Sequence, residues 1–344
     1  MASRRSIQYL FALTLLVVTF ALSEVSFRAY DYFTMPQDNL NMDVWVKKVS
    51  REMEEDPLLG YRRVPKQIVD DLTQVDEFGM LNAREALAWN KADVVGIGDS
   101  YIDLAHRVFF ERFKAHGLKY HSLAIFGYGP ANYNVLMREY GSKLNPKVYI
   151  YSIYLGNDPG DVRRYESWRA SGKGWYEYNG GYVFPIERRG LVWGWHMFIR
   201  RAKSFARNVI SRVNPDSYST LRGLVTRDDA ETVFEYVLQA KEIAEKQQAE
   251  LLVAIVPRTA SHKPLLDPIA SKLVDLCTNK GITCLDLDPA FGDVGSRDKL
   301  FAPDEHWNQT GMQIAWTYLW DNRLRSVLLA QGITLLSLSV ENSK

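Results

Sequence analysis

A serine hydroxyl becomes a nucleophile when a neutral imidazole can take its proton and a carboxylate orients the imidazole from its other nitrogen. The chain carries one short segment for each part. Gly98-Asp99-Ser100 places a serine directly behind the apolar run Asp93 to Gly98, where a buried strand turns into a helix. Asp304-Glu305-His306-Trp307-Asn308 places an aspartate two residues ahead of a histidine, near enough on a turn for the orienting hydrogen bond. Each segment also has a plainer reading. Gly-Asp-Ser is a common helix N-cap, and His306 taken alone could cap a helix at the surface.

Two more segments supply donors. Phe126-Gly127-Tyr128-Gly129-Pro130 holds a glycine whose N–H can approach a ligand closely, and Gly156-Asn157-Asp158 holds a side-chain amide. With the N–H of Ser100, Gly127 and Asn157 would complete a three-donor oxyanion hole. The plainer readings are a loop glycine and a turn, Asn157-Asp158-Pro159-Gly160 being strong turn sequence. His106, His116, His121, His196 and His262 lack a matched acidic neighbour and are expected to be structural or surface residues.

The elements around these segments alternate. Strands are predicted at 93–98, 120–125, 148–154, 251–256 and 282–287, with helices near 104–116, 132–143, 229–248, 269–279 and 309–329. Such alternation implies right-handed crossovers and a five-stranded parallel sheet covered on both faces, an α/β fold of flavodoxin-like type. Ligands in such sheets bind beyond the carboxyl ends of the strands. The serine, glycine and asparagine segments each directly follow a predicted strand, and the histidine segment comes after the last one.

Residues 1–23 read as a signal peptide or uncleaved signal anchor, with Arg4 and Arg5 ahead of an apolar stretch from Ile7 to Leu22. Residues 24–90 read as a charged, irregular extension packed on the main domain, with Asp56-Pro57-Leu58-Leu59-Gly60-Tyr61 as a turn-like landmark. The main domain is expected at 91–158 and 229–335. Between them, 159–228 reads as an insertion, a lid or substrate-binding element, rich in aromatic residues that include Trp168, Trp175, Trp193 and Trp195. Within it a hairpin is expected at Trp175 to Phe184, then a basic helix with Arg200, Arg201, Lys203 and Arg207. These aromatics either stack on sugar rings or pack the insertion on the core. Cys277 and Cys284 either pair or stay as two small thiols, and neither belongs to a zinc-like spacing. The formal charge of +1, without a basic block, gives no reason to expect a nucleic-acid partner. Gly96-x-Gly98 lacks the third glycine of a dinucleotide site. No cofactor or metal is expected.

Gly-Asp-Ser, an isolated glycine, Gly-Asn-Asp and a late Asp and His resemble the four blocks of the SGNH (GDSL-like) hydrolase superfamily. The resemblance covers roughly Asp93 to Leu329, apart from the insertion. It implies a three-layer α/β/α fold, Ser100 as nucleophile and oxyanion donor, Gly127 and Asn157 as further donors, His306 as base and Asp304 as its orienting acid. The insertion is larger than minimal members carry. Asp-x-His followed by Trp-Asn replaces the commoner Asp-x-x-His, a variant similar to membrane-anchored envelope members, including those related to alginate O-acetylation proteins. The landmark at Asp56 to Tyr61 also resembles that group.

Three functions fit this reading. The first is an envelope hydrolase of carboxylic, notably acetyl, esters working through an acyl-enzyme, its catalytic domain extracytoplasmic. The second passes the acyl group to a sugar hydroxyl, as an O-acetyltransferase partnered with envelope polysaccharide machinery. The third is a non-catalytic carbohydrate-binding relative.

Overall fold

Runs such as Val94–Gly98 and Val148–Ile153 are apolar at nearly every position, so they are stable only where both faces are covered. The computed structural model describes residues 52–172, 229–260, 262–292, 297–302 and 305–336, with Val18, Thr19, Leu22, Val25 and Ser26. By its contacts the chain divides into two units, Glu52–Gly180 with Leu224–Lys344, and Met1–Arg51 with Gly181–Gly223. The sheet, the hairpins and the helices around them belong to the first.

The chain enters through β1 (Met53–Asp56) paired with β2 (Gly60–Arg63), then β3 (Thr73–Val75) paired with β4 (Leu81–Ala83). Both pairs are antiparallel. Within the stretch 24–90 read as irregular, the described residues therefore hold two small hairpins over residues 53–83. Strands of three or four residues, with charged side chains in Met53–Asp56 and Gly60–Arg63, carry no apolar run that marks them in advance.

The alternating part follows as β5 (Val94–Gly98), α1 (Ser100–Ala115), β6 (Tyr120–Ala124), α2 (Pro130–Leu136, continued through a π turn to Leu144), β7 (Val148–Ile153) and α3 (Asp158–Ser171). After residue 228 come α4 (Asp229–Lys246), β8 (Glu250–Ile255), α5 (Lys263–Asn279), β9 (Thr283–Asp286) and α6 (Gln309–Leu319, continued through a π turn to Ala330). The five strands β5 to β9 form one sheet in the order β6-β5-β7-β8-β9, every pair parallel. Helices α1 and α6 pack together on one face, while α2, α3, α4 and α5 pack among themselves on the other. This is the three-layer α/β/α, flavodoxin-like arrangement that the alternation implied.

Under α1 and α6 the core is aromatic. Phe113 stacks on Tyr120 with ring centroids 4.9 Å apart, and His116 stacks on Trp320 at 4.0 Å. Helix α1 starts at Ser100 rather than near Leu104, because Asp99 caps it by accepting a hydrogen bond from the Tyr101 N–H at 3.0 Å. Buried arginines tie down the loops behind β8 and β9. Arg258 holds Asp286 through two bonds of 3.0 and 2.8 Å, and Arg297 reaches Asp288 at 2.6 Å. Cys277 and Cys284 are not joined in a disulfide.

No helix among the described residues is long and apolar enough to cross a membrane. The segment read as an anchor, 1–23, lies almost wholly outside them. So do the expected hairpin at 175–184 and the basic helix that follows it.

Candidate active site

Ser100 stands at the first position of α1, immediately behind β5, where the exposed N–H groups of the helix favour negative charge. Its Oγ lies 2.7 Å from Nε2 of His306, across 206 residues of chain. The two residues chosen for nucleophile and base thus meet at hydrogen-bond distance. Asp304, the expected orienting acid, lies outside the described residues.

A tight loop presents His306. Phe301 bridges Trp307 in antiparallel fashion, the Ala302 N–H donates to the His306 carbonyl at 2.7 Å, and the Asn308 N–H donates to the Leu300 carbonyl at 2.9 Å. Glu305 closes this loop in the left-handed region, at φ 72°. Two further bonds fasten the loop to α1. The Tyr101 hydroxyl donates to the Glu305 carbonyl at 3.0 Å, and the Trp307 indole N–H donates to the Tyr101 carbonyl at 3.1 Å. The Tyr101 ring also packs against His306, centroids 5.1 Å apart. Burial pushes the Tyr101 phenol above its ordinary pKa, which keeps it a donor.

The loops that carry the expected donors Gly127 and Asn157 leave from β6 and β7, the two neighbours of β5. Gly127 has φ 75°, a conformation that side chains rarely tolerate. A Cβ there would also stand 2.8 Å from the Tyr61 hydroxyl. That hydroxyl donates to the Phe126 carbonyl at 2.7 Å, and the Tyr128 hydroxyl donates to the Tyr61 carbonyl. The landmark behind β1 therefore buttresses the Gly127 loop. Arg63 reinforces it, gripping Asp103 of α1 with bonds of 3.0 and 2.6 Å while lying over the Phe126 ring.

Asn157 caps α3, and its Nδ2 donates to Asp161 Oδ2 at 3.0 Å and to Asp99 Oδ2 at 3.3 Å. Since Asp99 adjoins Ser100, these contacts bring Asn157 beside Ser100. Around the amide lie three buried acids. Burial raises Asp99 to about 6, against the Tyr101 N–H, Asn157 and His306, which favour its ionised form. Burial raises Asp161 to about 7, opposed by the Arg164 guanidinium. Asp158 is pushed well above the usual carboxylate range by burial and by Asp99 and Asp161, and it accepts from the Tyr133 hydroxyl at 3.0 Å.

Sequence reasoning missed several neighbours. His262, expected to lack an acidic neighbour, has Glu305 3.7 Å from its Nε2, while its Nδ1 lies 3.1 Å from the Tyr154 hydroxyl. Tyr154 in turn packs on Tyr101 at 4.7 Å. His121 also has an acid partner, Asp76 at 2.7 Å, buried with it. Both pairs join residues far apart in the chain, so no local motif reveals them. Among the described residues no group of three His, Cys, Asp or Glu side chains is arranged to hold a metal ion.

No protein-family profile matches the sequence. No curated protein matches it either. Solved structures do show similarity. One is a GDSL-like lipase from Bacteroides thetaiotaomicron, at 12% identity and a TM-score of 0.42, covering 72% of this chain and 95% of the other. Another is an acetyl xylan esterase, at 14% identity and a TM-score of 0.39, covering 67% of this chain and 99% of the other.

Proposed function

We propose that the protein is a serine-dependent hydrolase of carboxylic esters, acetyl esters first among them, acting at the cell envelope through an acyl-enzyme. The observation that carries this reading is the 2.7 Å contact between Ser100 Oγ and His306 Nε2 at the carboxyl end of β5. The resemblance of the four segments to SGNH hydrolases supports it. So does the placement of Gly127 and Asn157 on the two loops flanking the nucleophile.

In this mechanism His306 takes the Ser100 proton as Oγ attacks the ester carbonyl. The resulting oxyanion is met by the N–H groups of Ser100 and Gly127 and by the Asn157 amide. His306 then protonates the departing alkoxide, leaving an acyl group on Oγ. Water, deprotonated by the same histidine, attacks the acyl carbonyl and restores the free hydroxyl. Asp304 holds Nδ1–H of His306, fixing the ring that must alternate between base and acid. The mechanism draws on no cofactor. Residues 1–23 would hold the domain at the membrane, with Arg4 and Arg5 on the cytoplasmic side.

The full chain incubated with an acetylated model ester, with and without an oligosaccharide acceptor, tests the reading. Acetate release at the same rate in both supports hydrolysis. Release that requires the acceptor replaces it with acyl transfer to a sugar, and inertness in both removes the enzymatic reading.

A further inference from the structure

An amide that serves as an oxyanion donor must keep one N–H aimed at the reacting carbonyl, and something must hold it there. For most buried asparagines, partners on both the oxygen and the nitrogen do this. Asn157 is different. Its Oδ1 is buried with no hydrogen-bond partner among the described residues, so nothing on the oxygen side fixes the plane of the amide. Orientation comes from the nitrogen alone.

The nitrogen has two partners of unequal quality. Asp161 Oδ2 accepts at 3.0 Å, a normal hydrogen bond, whereas Asp99 Oδ2 stands at 3.3 Å, beyond the usual range. The first contact engages one hydrogen firmly. The second leaves the other hydrogen, on the side of the nucleophile, weakly held and replaceable by a developing oxyanion.

We propose that Asp161 is the positioning residue of the oxyanion hole, fixing one Asn157 N–H so that the other faces the reacting carbonyl. This rests on the reading of Asn157 as an oxyanion donor.

Packing makes Asp161 suited to that role. A Cβ built on Gly129 would lie 2.6 Å from Asp161 Cβ and 3.3 Å from the Asp158 carbonyl, so only glycine lets the two loops close up. Gly129 is two residues past Gly127, and Asp161 is four residues past Asn157 on α3. One side chain is therefore wedged between the loops that carry both donors. The groups facing it are Asp99 from the β5 loop, and Asn157, Asp158 and Arg164 from its own helix and cap; Arg164 pairs with its other oxygen at 2.8 Å. Burial raises the acid to about 7, which lessens the negative charge that would otherwise oppose an oxyanion nearby.

The test uses the full chain with an acetyl ester, and NMR of the Asn157 side-chain amide, assigned by its loss in Asn157→Ala. Asp161→Ala should lower kcat by between about 10- and 100-fold, somewhat less than losing the donor itself, with KM changed by less than about twofold. Its Asn157 amide hydrogens should exchange with solvent at least about tenfold faster, as expected when a buried hydrogen bond is lost. Asp161→Asn, which still presents an acceptor oxygen, should recover most of both losses. The proposal is overturned if Asp161→Ala keeps kcat within twofold, if Asp161→Asn is as impaired as Asp161→Ala, or if the amide exchange does not change. The amide measurement needs no turnover. An inert wild-type protein with accelerated exchange in Asp161→Ala would sink the hydrolase reading yet leave the positioning contact standing.

Discussion

Tyr101 and Trp307, the residues that directly follow Ser100 and His306, are hydrogen-bonded to each other: the Trp307 indole N–H donates to the Tyr101 carbonyl at 3.1 Å. Their rings meet edge to face, centroids 5.3 Å apart. With the Tyr101 hydroxyl donating to the Glu305 carbonyl, the first turn of α1 and the histidine loop are locked in register. Across that lock Ser100 Oγ and His306 Nε2 stand 2.7 Å apart.

Tyr101→Phe removes the bond to Glu305 and leaves the ring in place. Stability should fall by about 1 kcal/mol, the net worth of one hydrogen bond. The rate constant kcat should fall more than stability alone explains, by about tenfold, since small displacements at a reacting pair are costly. Chemical denaturation and steady-state kinetics on the same preparation check both. Unchanged kcat would mean that the histidine loop is held without this bond.

Asn157→Ala should lower kcat by about 10²–10³ and leave KM nearly unchanged, because an oxyanion donor acts mainly in the transition state. A raised KM with kcat intact would make Asn157 only the cap of α3.

Gly127→Ala meets two obstacles, the positive φ and the Tyr61 hydroxyl 2.8 Å from the new Cβ. The backbone cost alone is on the order of 1–3 kcal/mol. Combining it with Tyr61→Phe relieves the contact and not the φ, so the double variant should regain only part of the stability. Thermal unfolding of the two variants decides. Full recovery would show that crowding, not backbone conformation, keeps a glycine there.

Acidic groups whose native pKa is raised destabilise the fold as pH rises. Asp161 titrates at about 7 in the native protein and near 3.9 when unfolded. Between these values the native state binds the extra proton, so this residue's contribution to stability falls with increasing pH. Asp161→Asn removes the effect. The unfolding temperature of the variant relative to wild type should therefore rise from pH 4 to pH 7.5. A constant difference across that range would show that Asp161 is ionised throughout.

The five strands of the sheet, helices α1, α2, α4, α5 and α6, and the segments holding Ser100, Gly127, Asn157 and His306 were legible because each is local, whereas α3 (Asp158–Ser171) opens the stretch read as an insertion and was not. A buried parallel strand reads as an apolar run, and the site segments sit where such runs end. What escaped is what joins distant positions. Tyr61 and Arg63 hold the site loops from a single hairpin whose strands are too short to show a pattern. Asp161 looks like any polar residue in a helix until Gly129 brings the β6 loop against it. His121 and Asp76 are 45 residues apart, and no spacing rule links them. The π turns Met137–Gly141 and Trp320–Leu324 each add a residue within a helix without disturbing its apolar face enough to be noticed.

The central claim is that Ser100 is a nucleophile activated by His306. Intact-mass and peptide analysis after treatment with a serine-directed phosphonate tests it most directly. The account predicts one adduct per chain, on the peptide bearing Ser100, abolished by Ser100→Ala and slowed by at least about a hundredfold in His306→Ala. An adduct on another serine, or labelling of Ser100→Ala at the wild-type rate, would contradict it.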